Sequence, residues 1–328
     1  MSTEELTKFG VQLEDEGPHA FDPDAEWWNE SWFWDWYDTD GANAGHCRIG
    51  IHPNQQRVWL WLFLYREGEW VAIEEPRLPL DCFDPAKLTY DRWGLRCHWD
   101  VQEPLASGRL HVEGFGRALS GPRTGMILPI AADLNITGLG PPHSGGRANA
   151  PGHMSDAYPA SRFEQPILLE GTQSIDGVER AFAGRGERDH SWGPRFWNLE
   201  WTFLAVNSEH LRTQSAEARI PDIGRFVVGY MQRDTMLSVK EVEFDLSFAD
   251  DDVLDFVNGN VTVHIEDGGS FAARLESITA AEIDVTHCFD PPQRSVYRRA
   301  LVRLTPTNGE APLIGWLESN RFVGGLKR

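Results

Sequence analysis

Val261-Thr262-Val263-His264-Ile265 alternates apolar and polar side chains, and Val242-Glu243-Phe244-Asp245-Leu246 does the same a little earlier in the chain. A period of two is the period at which a strand sends successive side chains to opposite faces, so each segment presents one clean apolar face. Further out, Leu110, Val112 and Gly114 alternate with His111, Glu113 and Phe115. Gly, Pro, Asp and Asn punctuate such segments from end to end, and helical periodicity is scarce. Val58 to Leu64, reading VWLWLFL, is apolar at every position and predicts a central strand covered on both faces. The chain therefore reads as all-β. Many short strands closed by tight turns suit a barrel or a sandwich, and barrels are favoured because closure removes exposed sheet edges.

The 328 residues are enough for two cores. From Gly138 to Pro159 the text turns rich in Gly and Pro and loses apolar periodicity, which reads as a linker or as a long loop folded over one domain. The expected domains are 1–150 and 151–328. No fixed-period repeat relates them.

Acidic residues outnumber basic ones by 50 to 30, for a formal charge of -20, which repels phosphate backbones and anionic membranes alike. Nucleic acid is not an expected partner. The four cysteines, Cys47, Cys82, Cys97 and Cys288, show no metal-ligand spacing, and the polar opening MSTEELTKFG is no signal peptide. No apolar run approaches the roughly 20 residues of a membrane span. These features predict a soluble, cytoplasmic protein without stable membrane insertion.

Ten of the fourteen tryptophans fall in the first hundred residues. Each indole buries a large flat surface and carries one N–H that needs a partner, so the cluster suits a thick core or an aromatic-walled pocket. Trp32, Trp34, Trp59 and Trp61 are its candidate wall residues. A third reading makes the aromatic surface the interface of a homodimer.

Gly184 to Trp201, GRGERDHSWGPRFWNLEW, is the densest mixture of polar and aromatic residues. Taken as a strand, it puts Arg188, His190 and Trp192 on one face and Asp189 and Ser191 on the other, and Gly193-Pro194 breaks it. Asp189-His190-Ser191-Trp192-Gly193 resembles the D-x-x-W-G signature of the lipocalin-like hydroxyneurosporene synthase superfamily, which includes carotenoid 1,2-hydratases and AttH-type proteins. Glu30-Ser31-Trp32-Phe33, Arg48-Ile49-Gly50 and the apolar strand after His52-Pro53-Asn54 resemble the amino-terminal half of such proteins. The resemblance implies two tandem lipocalin-like antiparallel β-barrel domains, an apolar ligand near their interface, and hydration or cyclisation of isoprenoid or polyene substrates.

Hydrating an isolated alkene needs an acid for one carbon, a wall that tolerates a cation and water for the other carbon, and it requires no cofactor. Asp189 is the candidate acid, since burial among Trp192, Trp197 and Trp201 would raise its pKa, with His190 orienting it or a water. Against this, Arg188, His190 and Arg195 would hold Asp189 ionised and make it a structural ion pair. Trp192 packed on Arg188 or Arg195 reads first as the plug common to lipocalin-type barrels and only then as a pocket wall. His190 has no other ligand at suitable spacing, so no metal is expected. Asp133 and Asn135 share one face of a strand and suit a ligand mouth or a turn cap. Glu30 in NESWFWDW is a second acid or base candidate or a solvated residue, and the same holds for Asp35 and Tyr37. No GxSxG, GxxxxGK or GxGxxG motif supports a hydrolase, kinase or dehydrogenase. The same residues also suit a carrier that binds an apolar molecule without changing it, because fold does not separate the two.

Overall fold

The computed structural model describes residues 3–144, 161–195, 197, 199–220, 224–251, 253–288 and 294–322. These residues form an antiparallel all-β protein in two compact units, and the first runs to Arg195. Among them no helix is long and apolar enough to cross a membrane.

The first unit contains β1 (Trp28–Tyr37), β2 (Asn43–His52), β3 (Arg57–Arg66), β4 (Glu69–Pro79), β5 (Phe83–Asp84), β6 (Thr89–Arg92), β7 (Leu95–Glu103), β8 (Ser107–Ala118), β9 (Ile127–Gly138), β10 (Ser161–Ile175) and β11 (Val178–Pro194). They line up as β4-β3-β2-β1-β11-β10-β9-β8-β7-β6-β5, and β4 also pairs with β8 through Val71↔Ala118 and Ala72↔Arg117. That short pairing closes the strands from β4 to β8 into a ring and leaves β7, β6 and β5 as a flap. Gly116 permits the closure, because a Cβ there would lie 2.9 Å from the Ala72 backbone.

Every residue of the predicted VWLWLFL strand is buried. Leu60, Leu62 and Leu64 of β3 join Trp32, Trp34, Trp36 and Ile49 in the barrel core, while Trp59, Trp61 and Phe63 take the opposite face of the same strand. Arg48 lies against that outward face, 4.5 Å from the Trp59 ring centre and 5.3 Å from that of Trp61, and donates to Asn29 Oδ1 at 2.7 Å.

The domain boundary expected at 150/151 lies outside the described residues. The strands that follow it, β10 and β11, belong to the first unit, because β10 pairs with β9 and β11 pairs with β1. The first sheet therefore extends to Pro194, well past the expected boundary. Of the stretch 138–159, Gly138 ends β9 and His143 bridges to Glu164, while 145–159 are not described.

The second unit is a closed barrel of β12 (Glu200–Asn207), β13 (Arg212–Ile220), β14 (Gly224–Gln232), β15 (Met236–Phe248), β16 (Phe256–Ile265), β17 (Ser270–Ile283), β18 (Ser295–Pro306) and β19 (Leu313–Phe322). The two alternating segments of the sequence are neighbours in it, with Val242 opposite Val263 and Phe244 opposite Val261. Leu204, Val206, Val242, Val261, Val263, Leu275, Val302 and Leu304 fill its interior.

Candidate functional site

The amino-terminal segment supplies what the strands of the first barrel lack. After α1 (Thr3–Lys8), Leu6 and Val11 pack with Leu105 and Phe163, with Trp192 against them, and Leu13–Glu16 makes a short 3-10 turn. This packing carries Asp15, Glu16 and His19 to the inner-facing row of β11, where Arg188, His190 and Trp192 alternate as the sequence predicts.

Two buried charge clusters result. In the first, Glu16 Oε1 accepts from Arg188 Nη1 at 2.8 Å and Trp99 Nε1 at 3.2 Å, while Oε2 accepts from Arg188 Nη2 at 2.8 Å and the Leu105 amide at 2.7 Å. Arg188 also donates to Gln165 Oε1 at 2.8 Å, and its guanidinium lies 5.6 Å from the Trp99 ring and 5.4 Å from Phe163. Burial pushes the Glu16 carboxyl up, but the Arg188 charge and these hydrogen bonds together outweigh it and hold the group below its usual value. All its acceptor sites are taken, which is a structural arrangement. The tryptophan beside the Arg188 guanidinium is Trp99 of β7 and not Trp192.

In the second cluster, Glu30 Oε1 accepts from the His19 amide at 2.8 Å, and it lies 2.8 Å from His19 Nδ1 and 3.2 Å from His190 Nε2. Burial pushes the Glu30 carboxyl up, and the hydrogen bonds from both histidines with the nearby His190 charge reverse this and hold it below the usual range. Asp15 braces the two rings. Its carbonyl lies 2.6 Å from His190 Nδ1 and its Oδ1 lies 3.5 Å from His19 Nε2. Aromatic rings enclose the cluster: Trp32 stacks on His190 at 4.5 Å, Phe163 meets it edge-on at 5.8 Å, and His19 stacks on Trp192 at 3.9 Å. Glu30 and His190 are each 1% exposed, whereas the His19 side chain is 22% exposed and gives the cluster its contact with solvent. The ligand-type atoms of His19, Glu30 and His190 all lie within 4.8 Å of one another.

The structure brings His190, Trp32 and Trp192 together and leaves the other candidates elsewhere. Asp189 occupies the face of β11 away from His190, half-buried, with Arg162 Nη2 at 3.4 Å, so the carboxylate beside His190 is that of Glu30. Trp34 lies in the same barrel core, tilted against Trp99 at 5.3 Å. Trp59 and Trp61 take the outward face of β3. Trp197 and Trp201 belong to the second unit, where Trp201 Nε1 donates to Glu318 Oε2 at 3.2 Å. Asp133 sits mid-strand on the outer surface of β9, in an ion pair with Arg109 at 2.6 Å and 3.2 Å from His111 Nδ1, and Asn135 on the same face is exposed. Neither caps a turn. Asp35 is buried and accepts from the Glu187 amide at 2.8 Å, and Tyr37 is buried. Sequence reasoning passed over Asp15, Glu16 and His19 because their segment has neither periodicity nor motif.

The sequence matches the profile of the family described as a domain of unknown function, DUF7064, over residues 12–323. No curated protein matches it. Among solved structures, the fold resembles an AttH-like protein of Nitrosomonas europaea, with TM-score 0.66 and 14% identity over 94% of this chain and 96% of that one. It also resembles CghA in its structure with Sch210972, with TM-score 0.52 and 12% identity over 89% and 87% of the two chains. A third likeness is to kievitone hydratase of Nectria haematococca, with TM-score 0.51 and 10% identity over 98% and 95%. At these identities the likeness is one of fold.

Proposed function

This chain belongs to the DUF7064 family, and we propose that it is a cofactor-independent hydratase, isomerase or cyclase acting on an apolar isoprenoid or polyene, with its acid–base chemistry at His19, Glu30 and His190. One observation carries the reading: a buried carboxylate, kept ionised by two imidazoles, lies within aromatic walls and is open to solvent through His19. The fold shared with an enzyme named as a hydratase supports it.

The carboxylate is ionised, so the shared protons sit on the ring nitrogens and not on Glu30. In a hydration, the His19 ring gives a proton to one alkene carbon. The cation that forms on the other carbon lies against an aromatic face, an attraction of about 2 kcal/mol when water is excluded. Water adds to that carbon and returns a proton to the His–Glu pair, so alkene and water become alcohol with no net proton change. Glu30 offsets the charge of the imidazoles, and Asp15 fixes their orientation. Loss of a proton from the cation in place of water addition would give the isomer, and attack on the cation by a second double bond of the substrate, forming a C–C bond, followed by proton loss would give the ring-closed product.

The test is product mass from geraniol, farnesol, squalene and lycopene incubated in water labelled with deuterium and oxygen-18. Label in product with the wild type, lost in Glu30→Gln, supports the reading. Stoichiometric binding of these compounds without conversion would instead favour a carrier.

A further inference from the structure

We infer that Glu30 Oε1, His19 Nδ1 and His190 Nε2 form a three-ligand site for a divalent transition metal of the zinc type. The site goes beyond the proposed reaction, and its occupancy does not depend on it.

Two imidazoles and one carboxylate are a set that zinc uses with a fourth position left for water. Magnesium and calcium prefer all-oxygen shells and are disfavoured by the two nitrogens. The ring nitrogens lie 2.8 and 3.2 Å from the carboxylate oxygen, the separation of neighbouring ligands around one ion with bonds of about 2.0–2.2 Å. Among the described residues, this is the group of His, Cys, Asp and Glu side chains that converges to within 4.8 Å.

A ligating histidine ordinarily donates its other ring N–H to a carbonyl or carboxylate, which leaves the ligating nitrogen with its lone pair. His190 has such a partner in the Asp15 carbonyl, 2.6 Å from Nδ1, and the carboxylate of the same residue lies 3.5 Å from His19 Nε2, within ion-pair reach. Loss of the protons that these rings share with Glu30 would leave Nε2 of His190 and Nδ1 of His19 with their lone pairs turned to an ion at the Glu30 oxygen.

Glu30 and His190 are buried, and the partly exposed His19 edge is where an ion or its water would arrive. The ion takes the atoms that hold the shared protons, so metal and proton relay exclude one another. Zinc would therefore silence the acid–base chemistry of this cluster.

The test uses the full chain freed of metal and titrated with cobalt(II), whose visible d–d bands report an ordered site of low coordination number. The expected result is one cobalt per chain, displaced by zinc. The bands should be lost in His19→Ala and Glu30→Gln and kept in His210→Ala, a change at an exposed histidine of the second unit. Asp15→Ala should weaken binding by about 10–100-fold while leaving the ligands in place. Should Glu30→Gln fail to fold, X-ray absorption at the zinc edge of the wild type decides, with two imidazoles and oxygen expected. Absence of a stoichiometric cobalt spectrum in the wild type, or its full retention in His19→Ala, would overturn the inference. Loss of binding with turnover retained would leave the proposed reaction standing.

Discussion

The two barrels are filled differently. The second is filled mainly by Leu, Val, Ile and Phe side chains, and its buried Arg299–Glu318 pair, at 2.8 Å, lies on the face of β18 and β19 opposite Ala300 and Val302. The first mixes aliphatic side chains with Trp32, Trp34 and Trp36, and it carries the Glu16–Arg188 pair and the Glu30–histidine cluster on its inward rows. Burying charge is costly unless every lone pair and proton is met. Among the described residues, the first barrel bears that cost in these two inner clusters, and there the amino-terminal segment provides the partners. The contrast teaches that the second barrel rests mainly on aliphatic packing, whereas the first is organised around two buried charge clusters.

The contrast is broken most severely by removing one half of the inner ion pair. Arg188→Ala should destabilise the protein by about 3–5 kcal/mol in denaturant unfolding, because it strands a buried carboxylate. Adding Glu16→Gln should recover part of that loss. In the second barrel, Leu275→Ala should cost about 2–5 kcal/mol through a cavity, with no rescue by any charge change and no added pH dependence.

Acid should separate the two barrels further. The folded Glu16 carboxyl lies below its unfolded value of 4.5, so its stabilisation is fully present above pH 4.5 and is lost as pH falls through the folded value. The acid limb of a stability–pH curve should therefore flatten in Glu16→Gln and stay unchanged in Leu275→Ala. His143, also in the first unit, is pushed down to about 4 by burial, so it favours the neutral ring. Between about pH 6.5 and 4 the unfolded chain binds the extra proton and stability falls as pH falls, a slope that His143→Gln should remove.

The smallest effect belongs to the surface. Asp133→Asn breaks a partly solvated pair with Arg109 and should change stability by no more than about 1 kcal/mol, less at high salt. A larger loss, or an effect on ligand binding, would return Asp133 to the site.

Alternation made the strands legible, and it separated Arg188, His190 and Trp192 from Asp189 and Ser191 correctly. It does not say which face of a strand looks inward, and for that reason Asp189 took the place that Glu30 fills. Trp32 and His190 were within reach of sequence reasoning because each lies in a dense aromatic run. His19 was not, since its meeting with His190 depends on how a segment without periodicity packs on Leu105 and Phe163. Nor could local pattern assign β10 and β11 to the first barrel, because β11 finds β1 across most of that unit. The contact of Trp99 with Arg188 was hidden for the same reason: β7 reaches Arg188 only through the folded barrel.

The most direct test compares Glu30→Gln with Asp189→Asn in labelled water, using the isoprenoid and polyene panel and product mass as the readout. The account predicts deuterium and oxygen-18 incorporation by the wild type and by Asp189→Asn, and its loss in a folded Glu30→Gln. Incorporation that survives Glu30→Gln and disappears in Asp189→Asn would contradict it.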